Sequence, residues 1–372
     1  MNGRRGAWAL TTALLAASCG PRQAGPPQIP RVATPAGLTR TLEAASAHGR
    51  LGWTFAPLTP SARARDLEVL LFSSGSTAYD GYVLRASSLS VLRPWLRPVE
   101  PVAAGALREG LGACVPVQNG RWLALPLTVD AVAFASREED GVPERMTLEA
   151  LDRWAGARAF HGEGEPTLGS TVPPLELFWA LAHGEGVSDL PGEAVYGAPQ
   201  IRALAFLQRH GLEPPPDPQE AVDAFLEGRR KGVFVWASEV KDLVARARSA
   251  GVSCRVTEAP HRGETARTLY GGYVWACPSS VVAPRDGVAL LGPAVQETLA
   301  LAGHLPAAAG LPAQNVEAER ALSRTRLVAP PDLGPRGQEI LEGALMDALD
   351  AEFSAEEALR RAQARIAHEA AP

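Results

Sequence analysis

The chain reads as an α/β protein built in two lobes, and three observations carry that expectation. Short apolar, strand-like runs alternate with segments of helical spacing along nearly the whole sequence, an order that gives largely parallel sheets with helices packed on them. The chain has 372 residues, more than one hydrophobic core usually serves. Its 36 glycines and 32 prolines fall between the periodic segments rather than in one block, which marks many short loops and not a disordered tract.

The first segment is read as an export signal. Arg4 and Arg5 form a short positive region, and residues 7–17 (AWALTTALLAA) form an apolar run of signal-peptide length. A permanent transmembrane helix needs roughly 20 apolar residues, so this run is too short to be one. It ends in Leu15-Ala16-Ala17-Ser18-Cys19, small residues leading into a cysteine. That ending resembles a bacterial lipobox, whose cysteine is lipidated and becomes the new N-terminus, although Ala16 stands where the motif usually has Leu. An ordinary secretory signal with an incidental Cys19 is the alternative. Residues 20–30 (GPRQAGPPQIP) then read as an extended tether. No later stretch reaches 18 consecutive apolar residues, so no further span is expected. The expectation is an exported protein held to the outer side of a membrane by a lipid on Cys19.

The body follows element by element. Residues 31–34 open a strand, and residues 38–47 carry apolar positions at helical spacing. Residues 51–58 and 67–72 (LEVLLF) read as buried strands, and residues 123–134 as a longer strand-like run broken by Pro126. Thr147 caps a helix over 146–154, with Glu149 in its first turn. Helices are expected at 175–183, at 199–210 up to Gly211, and at 221–226 up to Gly228. Strands are expected at 232–236, 252–257 and 272–277, with a helix over 239–250. The end is helical, over 337–349 and 355–368, where Ala358, Leu359, Ala362 and Ile366 form one apolar stripe.

Several function classes find no support. The net charge is −5 with acids and bases mixed, so there is no basic stripe for nucleic acid. The seven histidines are dispersed and include no H-E-x-x-H, and no metal or cofactor is predicted. Gly75-Ser76 lacks the rest of a G-x-S-x-G nucleophile elbow, so an extracellular hydrolase has no motif behind it. Glu138-Glu139-Asp140 reads as a solvated charged stretch. Cys114, Cys254 and Cys277 form no CxxC knuckle. Cys254 and Cys277 sit in separate strand-like runs and are read as either a pair or free thiols.

The order of motifs resembles the family 1 extracellular solute-binding proteins, the class that includes maltose-binding proteins. Trp122-Leu-Ala-Leu-Pro126 with Asp130 to Phe134 is similar to that family's "Y-x-I/L-P" strand, and Pro143 to Leu151 to its "P-x-T-W-x-E-L" segment. Ala224-Phe225-Leu-Glu-Gly228 before Val233 to Trp236 resembles "A-F-x-x-G-x-x-A-M". Glu258-Ala-Pro260 with Gly271-Gly272-Tyr273 resembles its return to the first lobe, and residues 354–366 its closing helix. The resemblance implies a type II clamp with discontinuous lobes, residues 31–129 plus 276–328 and residues 130–275 plus 329–372. Hinge crossovers are expected near Asp130, Val274 and Ala329. It also implies a monomeric, non-catalytic subunit that captures a small polar solute, a sugar by default, for an ABC importer permease. A non-transport envelope lipoprotein that uses the same clamp for sensing is the other reading.

The expected ligand-binding residues follow from this frame. Asp130 would accept hydrogen bonds from ligand hydroxyls. Ser73 and Ser74 follow a run read as a strand, where open α/β sheets bind ligands, and Tyr79 comes shortly after. Trp236 and Tyr273 offer aromatic faces for stacking, and Gly272 lies beside Tyr273. Trp275 is read as core. Two departures from sugar-binding relatives stand out: Gln338 and Glu339 where an aromatic often occurs, and Gly169 to Pro174 in place of an aromatic platform.

Overall fold

A computed structural model describes residues 29–58, 64–103, 105–143, 146–156, 167–187, 195–212, 217–281, 286–311 and 314–369. The export signal, Cys19 and most of the tether lie outside the described residues. Two sheets organise the rest. The first has the order Thr54–Leu58, Arg31–Pro35, Gly81–Arg85, Tyr273–Ala276, Leu125–Pro126. Its first three strands are parallel, and the last two pair antiparallel. The second has the order Cys254–Glu258, Val132–Arg137, Gly232–Trp236, Leu168–Ser170, with one parallel pair, Gly232–Trp236 against Leu168–Ser170. Both sheets are therefore mixed rather than largely parallel. The antiparallel strands include those that follow a crossing, because chain arriving from the other half enters a sheet against the direction of its residents.

The helices cover these sheets much as their periodicity predicts. Leu148–Gly156 is capped by the Thr147 hydroxyl, which accepts from the Ala150 N–H at 3.1 Å. Pro174–Gly184 is buried along its length, as an apolar helix between layers must be. Gly334–Leu349 packs on Ala355–Glu369, whose stripe of Ala358, Leu359, Ala362 and Ile366 is buried. One core joins these helices to Phe134, Phe178, Phe234 and Trp154. A second, around Leu38, Leu42, Phe55 and Trp275, lies under the first sheet.

One expectation is corrected, and two are made specific. Residues 67–72 are not a strand: Ala64–Ser73 is a helix. Leucine favours helix, and the run buries Leu71 and Phe72 while leaving Leu70 exposed, a pattern that period-two alternation does not give. Near Val274, which itself sits inside the first sheet paired with Leu84 and Pro126, the chain passes from one sheet to the other. The crossing is just before it, at Gly271-Gly272. Of the two readings of Cys254 and Cys277, a pair or free thiols, the structure has the second. Cys254 lies in the second sheet and Cys277 just past the first, and both are free, as is Cys114.

Candidate functional site

Two stretches of chain cross between the sheets side by side. The Tyr270 hydroxyl donates to the Thr128 carbonyl at 3.0 Å, and the Tyr273 N–H donates to the Thr128 hydroxyl at 2.9 Å. The Gly271 N–H donates to the Asp130 carbonyl at 3.0 Å. This approach requires glycine at two positions. A Cβ on Gly272 would collide with the Thr128 carbonyl oxygen, and one on Gly271 with the Trp236 ring. Gly272 therefore permits the close backbone packing of the two crossings.

The crossing fixes Asp130 at the seam, with 1% exposure. Its carboxylate accepts from the Ala131 N–H at 3.1 Å, the Ser238 N–H at 3.0 Å and the Ser238 hydroxyl at 2.6 Å. The remaining partner comes from the first sheet: Arg85 Nη1 at 3.3 Å, which also donates to the Gly271 carbonyl at 3.1 Å. Asp130 is thus bound on all sides by protein groups, as a buried carboxylate must be.

Arg85 also lies between the two aromatic residues. Its guanidinium carbon is 4.4 Å from the centre of the Tyr273 ring and 5.1 Å from that of Trp236, within cation–π range. Strand ends explain the meeting. Arg85 and Trp236 are the last residues of Gly81–Arg85 and Gly232–Trp236, and Tyr273 is the first of its strand, in register with Arg85. Burial opposes the charge on Arg85, but Tyr273, Asp130, Glu239 and Glu176 outweigh it and raise its pKa. Glu239 accepts from the Thr171 hydroxyl at 2.5 Å and the Trp236 N–H at 3.1 Å. Burial nevertheless pushes its carboxyl above the usual range. His304 packs edge-on against Tyr273 with centroids 6.0 Å apart, and burial lowers its pKa.

With two α/β halves meeting over these crossings, comparison with solved structures is decisive for the fold. The GacH receptor of Streptomyces glaucescens GLA.O, described unliganded and in complex with acarbose, matches with a TM-score of 0.68 at 17% identity, over 91% of this chain and 98% of that one. The chain has the fold of a periplasmic binding protein. The sugar-binding protein MalE from the phytopathogen Xanthomonas citri also matches, with a TM-score of 0.68 at 14% identity over 91% and 96% of the two chains. No family model and no curated protein matches the sequence.

Within this periplasmic-binding-protein fold, the residues expected from sequence divide. Asp130, Trp236 and Tyr273 come together at the seam. Ser73 and Ser74 do not: they end a helix and donate back to the Leu70 and Leu71 carbonyls at 3.3 and 3.1 Å. Tyr79 precedes the strand whose far end carries Arg85, and it packs on Tyr82 and under Arg31. Trp275 is core, at 2% exposure. Sequence reasoning missed Arg85, Ser238 and Glu239 as site residues. The signal for Arg85 was present, a charged residue closing the apolar run GYVLR.

Elsewhere residues 87–93 meet residues 332–338 directly. Ser90 Oγ donates to Gln338 Oε1 at 2.8 Å, with both residues buried, and Arg93 pairs with Asp332. The space among Ser87, Ser90, Glu176 and Gln338 is only about 20 Å³. A larger groove of about 920 Å³ lies against Val129, Trp179, Leu327 and Pro331. Val129 and Asp130 are consecutive in extended chain, so their side chains point to opposite sides, Val129 to the groove and Asp130 to the seam.

Proposed function

We propose that the protein is the solute-binding subunit of an ABC-type importer, a non-catalytic clamp for a small polar solute of carbohydrate type, exported and tethered through a lipid on Cys19. The observation that carries this reading is the meeting of strand ends at Asp130. A carboxylate, an arginine, hydroxyls and two aromatic faces converge there between two α/β halves. Ligands of open α/β sheets bind at such strand ends, and a hinged pair of halves can bury a guest if the closed state gains contacts with it. Of the structural neighbours named above, one is described as a receptor in complex with acarbose and the other as a sugar-binding protein, which supports the class of solute.

The test is a calorimetric titration of the purified protein against a panel of mono- and oligosaccharides, polyols and amino acids. Saturable binding of a sugar that is lost on Trp236→Ala is expected. Binding confined to amino acids would remove the carbohydrate assignment. The anchor is tested separately: Cys19→Ala should move the protein from the membrane fraction to the soluble one.

One observation favours a second reading, in which the clamp serves sensing or envelope assembly. The interlobe space near Gln338 is filled by the protein's own side chains. A full-length protein that binds no solute of any class in the panel would support that reading over transport.

A further inference from the structure

We infer that Arg85 is an internal stand-in for the solute, and that the solute carries a basic nitrogen, an amino sugar by class, which takes the arginine's slot. This inference rests on the solute-binding reading above and narrows it. The slot already holds a cation: the Arg85 guanidinium lies between the Tyr273 and Trp236 rings, on the Asp130 carboxylate. Its side chain is 32% exposed, so the slot is reached from solvent through Arg85 itself. The guanidinium reaches inward with Nη1, to Asp130 and the Gly271 carbonyl.

Exchange is selective because of what Arg85 would leave behind. Asp130 is buried and has used its other acceptor capacity on Ser238 and two backbone N–H groups. A neutral sugar that pushed Arg85 out would leave this carboxylate buried without a cation, which is strongly unfavourable. An acidic solute would add a like charge beside Asp130, with Glu239 and Glu176 also acting on the same guanidinium. A protonated amine avoids both penalties. It replaces one cation with another, keeps the ion pair and stacks against the same two rings. The hydroxyls of Thr171 and Ser238 lie beside the slot, bonded to Glu239 and Asp130, and would serve the hydroxyl groups of the same molecule.

The test uses methylguanidinium as the probe and Arg85→Ala in the full chain. Arg85→Ala is expected to bind methylguanidinium saturably, with its thermal midpoint rising toward that of the unaltered protein. The unaltered protein, whose slot is filled, should not respond. The double variant Arg85→Ala/Asp130→Asn removes the unpaired charge, so it remains foldable if Arg85→Ala is not, and it should not respond either. A folded Arg85→Ala that ignores the probe, or a double variant that takes it up, would overturn the slot. The solute class is read on the unaltered protein by comparing a glucosamine trimer with its N-acetylated form and with maltotriose. At least tenfold tighter binding of the free amine is expected. Equal affinities would sink the amine inference and leave the sugar clamp standing. If no sugar binds while Arg85→Ala takes up methylguanidinium, the slot stands and the carbohydrate reading falls.

Discussion

The two sides of the crossing at Val129 and Asp130 differ in kind. On the seam side the chain brings a carboxylate, a guanidinium, a hydroxyl and two rings together around one ion pair. On the groove side it leaves about 920 Å³ against Val129, Leu327 and Pro331, a volume within the usual range of ligand sites. Volume and chemistry are thus separated by a single residue step. Space is left wherever packing is imperfect, but a buried ion pair with each acceptor satisfied demands coordinated placement from distant parts of the chain. The seam is therefore the better guide to function, although the groove is the larger space.

The most severe way to break this comparison is Asp130→Ala. If the seam is a satisfied network, the change strands Arg85 between two rings without its counter-ion. Breaking a buried pair by removing one partner costs about 3–5 kcal/mol, and the lower end is expected because Arg85 is partly exposed. Urea denaturation measures it. The added change Arg85→Met should recover much of the loss, and a single variant as stable as the unaltered protein would mean that the pair does not form in solution.

Gly272→Ala comes next. Its Cβ would meet the Thr128 carbonyl and the Tyr270 ring, both fixed by the hydrogen bonds that hold the crossings together. Overpacking of this kind costs about 1–3 kcal/mol. The same experiment also separates roles. A glycine that touched the ligand would change affinity without changing stability, whereas this one should change stability first.

How much of this was legible in the sequence depends on the range of the interaction. The closing helix declared itself because its stripe repeats within four residues, and Ala358, Leu359, Ala362 and Ile366 are buried as that stripe requires. Residues 67–72 misled because a short apolar run fits either a strand or a buried helix, and leucine content decided it. Asp130, Trp236 and Tyr273 were found through motif order. Arg85 and Ser238 were not, because each is an unremarkable polar residue until folding brings it to Asp130 across 45 and 108 residues respectively. The premise for Ser73 and Ser74 went the same way: the strand they were meant to follow is a helix, and their hydroxyls donate back to its last turn.

A smaller effect should appear with pH, and on the seam side it comes from His304. Burial lowers the His304 pKa below its ordinary value of 6.5. The unfolded chain therefore takes up this proton more readily than the folded one, and stability is lost as pH falls through about 6.5 toward the folded value. His210 is lowered by burial as well and has the same sign. Glu239, raised by burial, has the opposite sign, since the folded state keeps its proton more tightly and gains as pH falls through the raised value. His304→Gln isolates one of these terms. Between about pH 7.5 and pH 5.5, the unaltered protein should lose more of its melting temperature than the variant does, and identical slopes would show that His304 is solvated in the folded state.

The smallest effect is expected on the groove side, and it tests whether that space is real. Leu322 is half-buried and borders the groove, so Leu322→Phe adds volume where there is room for it. Leu322 packs on the core with one side and faces the groove with the other, so the added ring can extend into open space and a change of less than about 0.5 kcal/mol is the expected result. A loss of more than about 1 kcal/mol, the cost of forcing bulk into a packed site, would mean that the groove closes in solution. The two sides of the crossing would then be equally packed, and the contrast between them would rest on polarity alone.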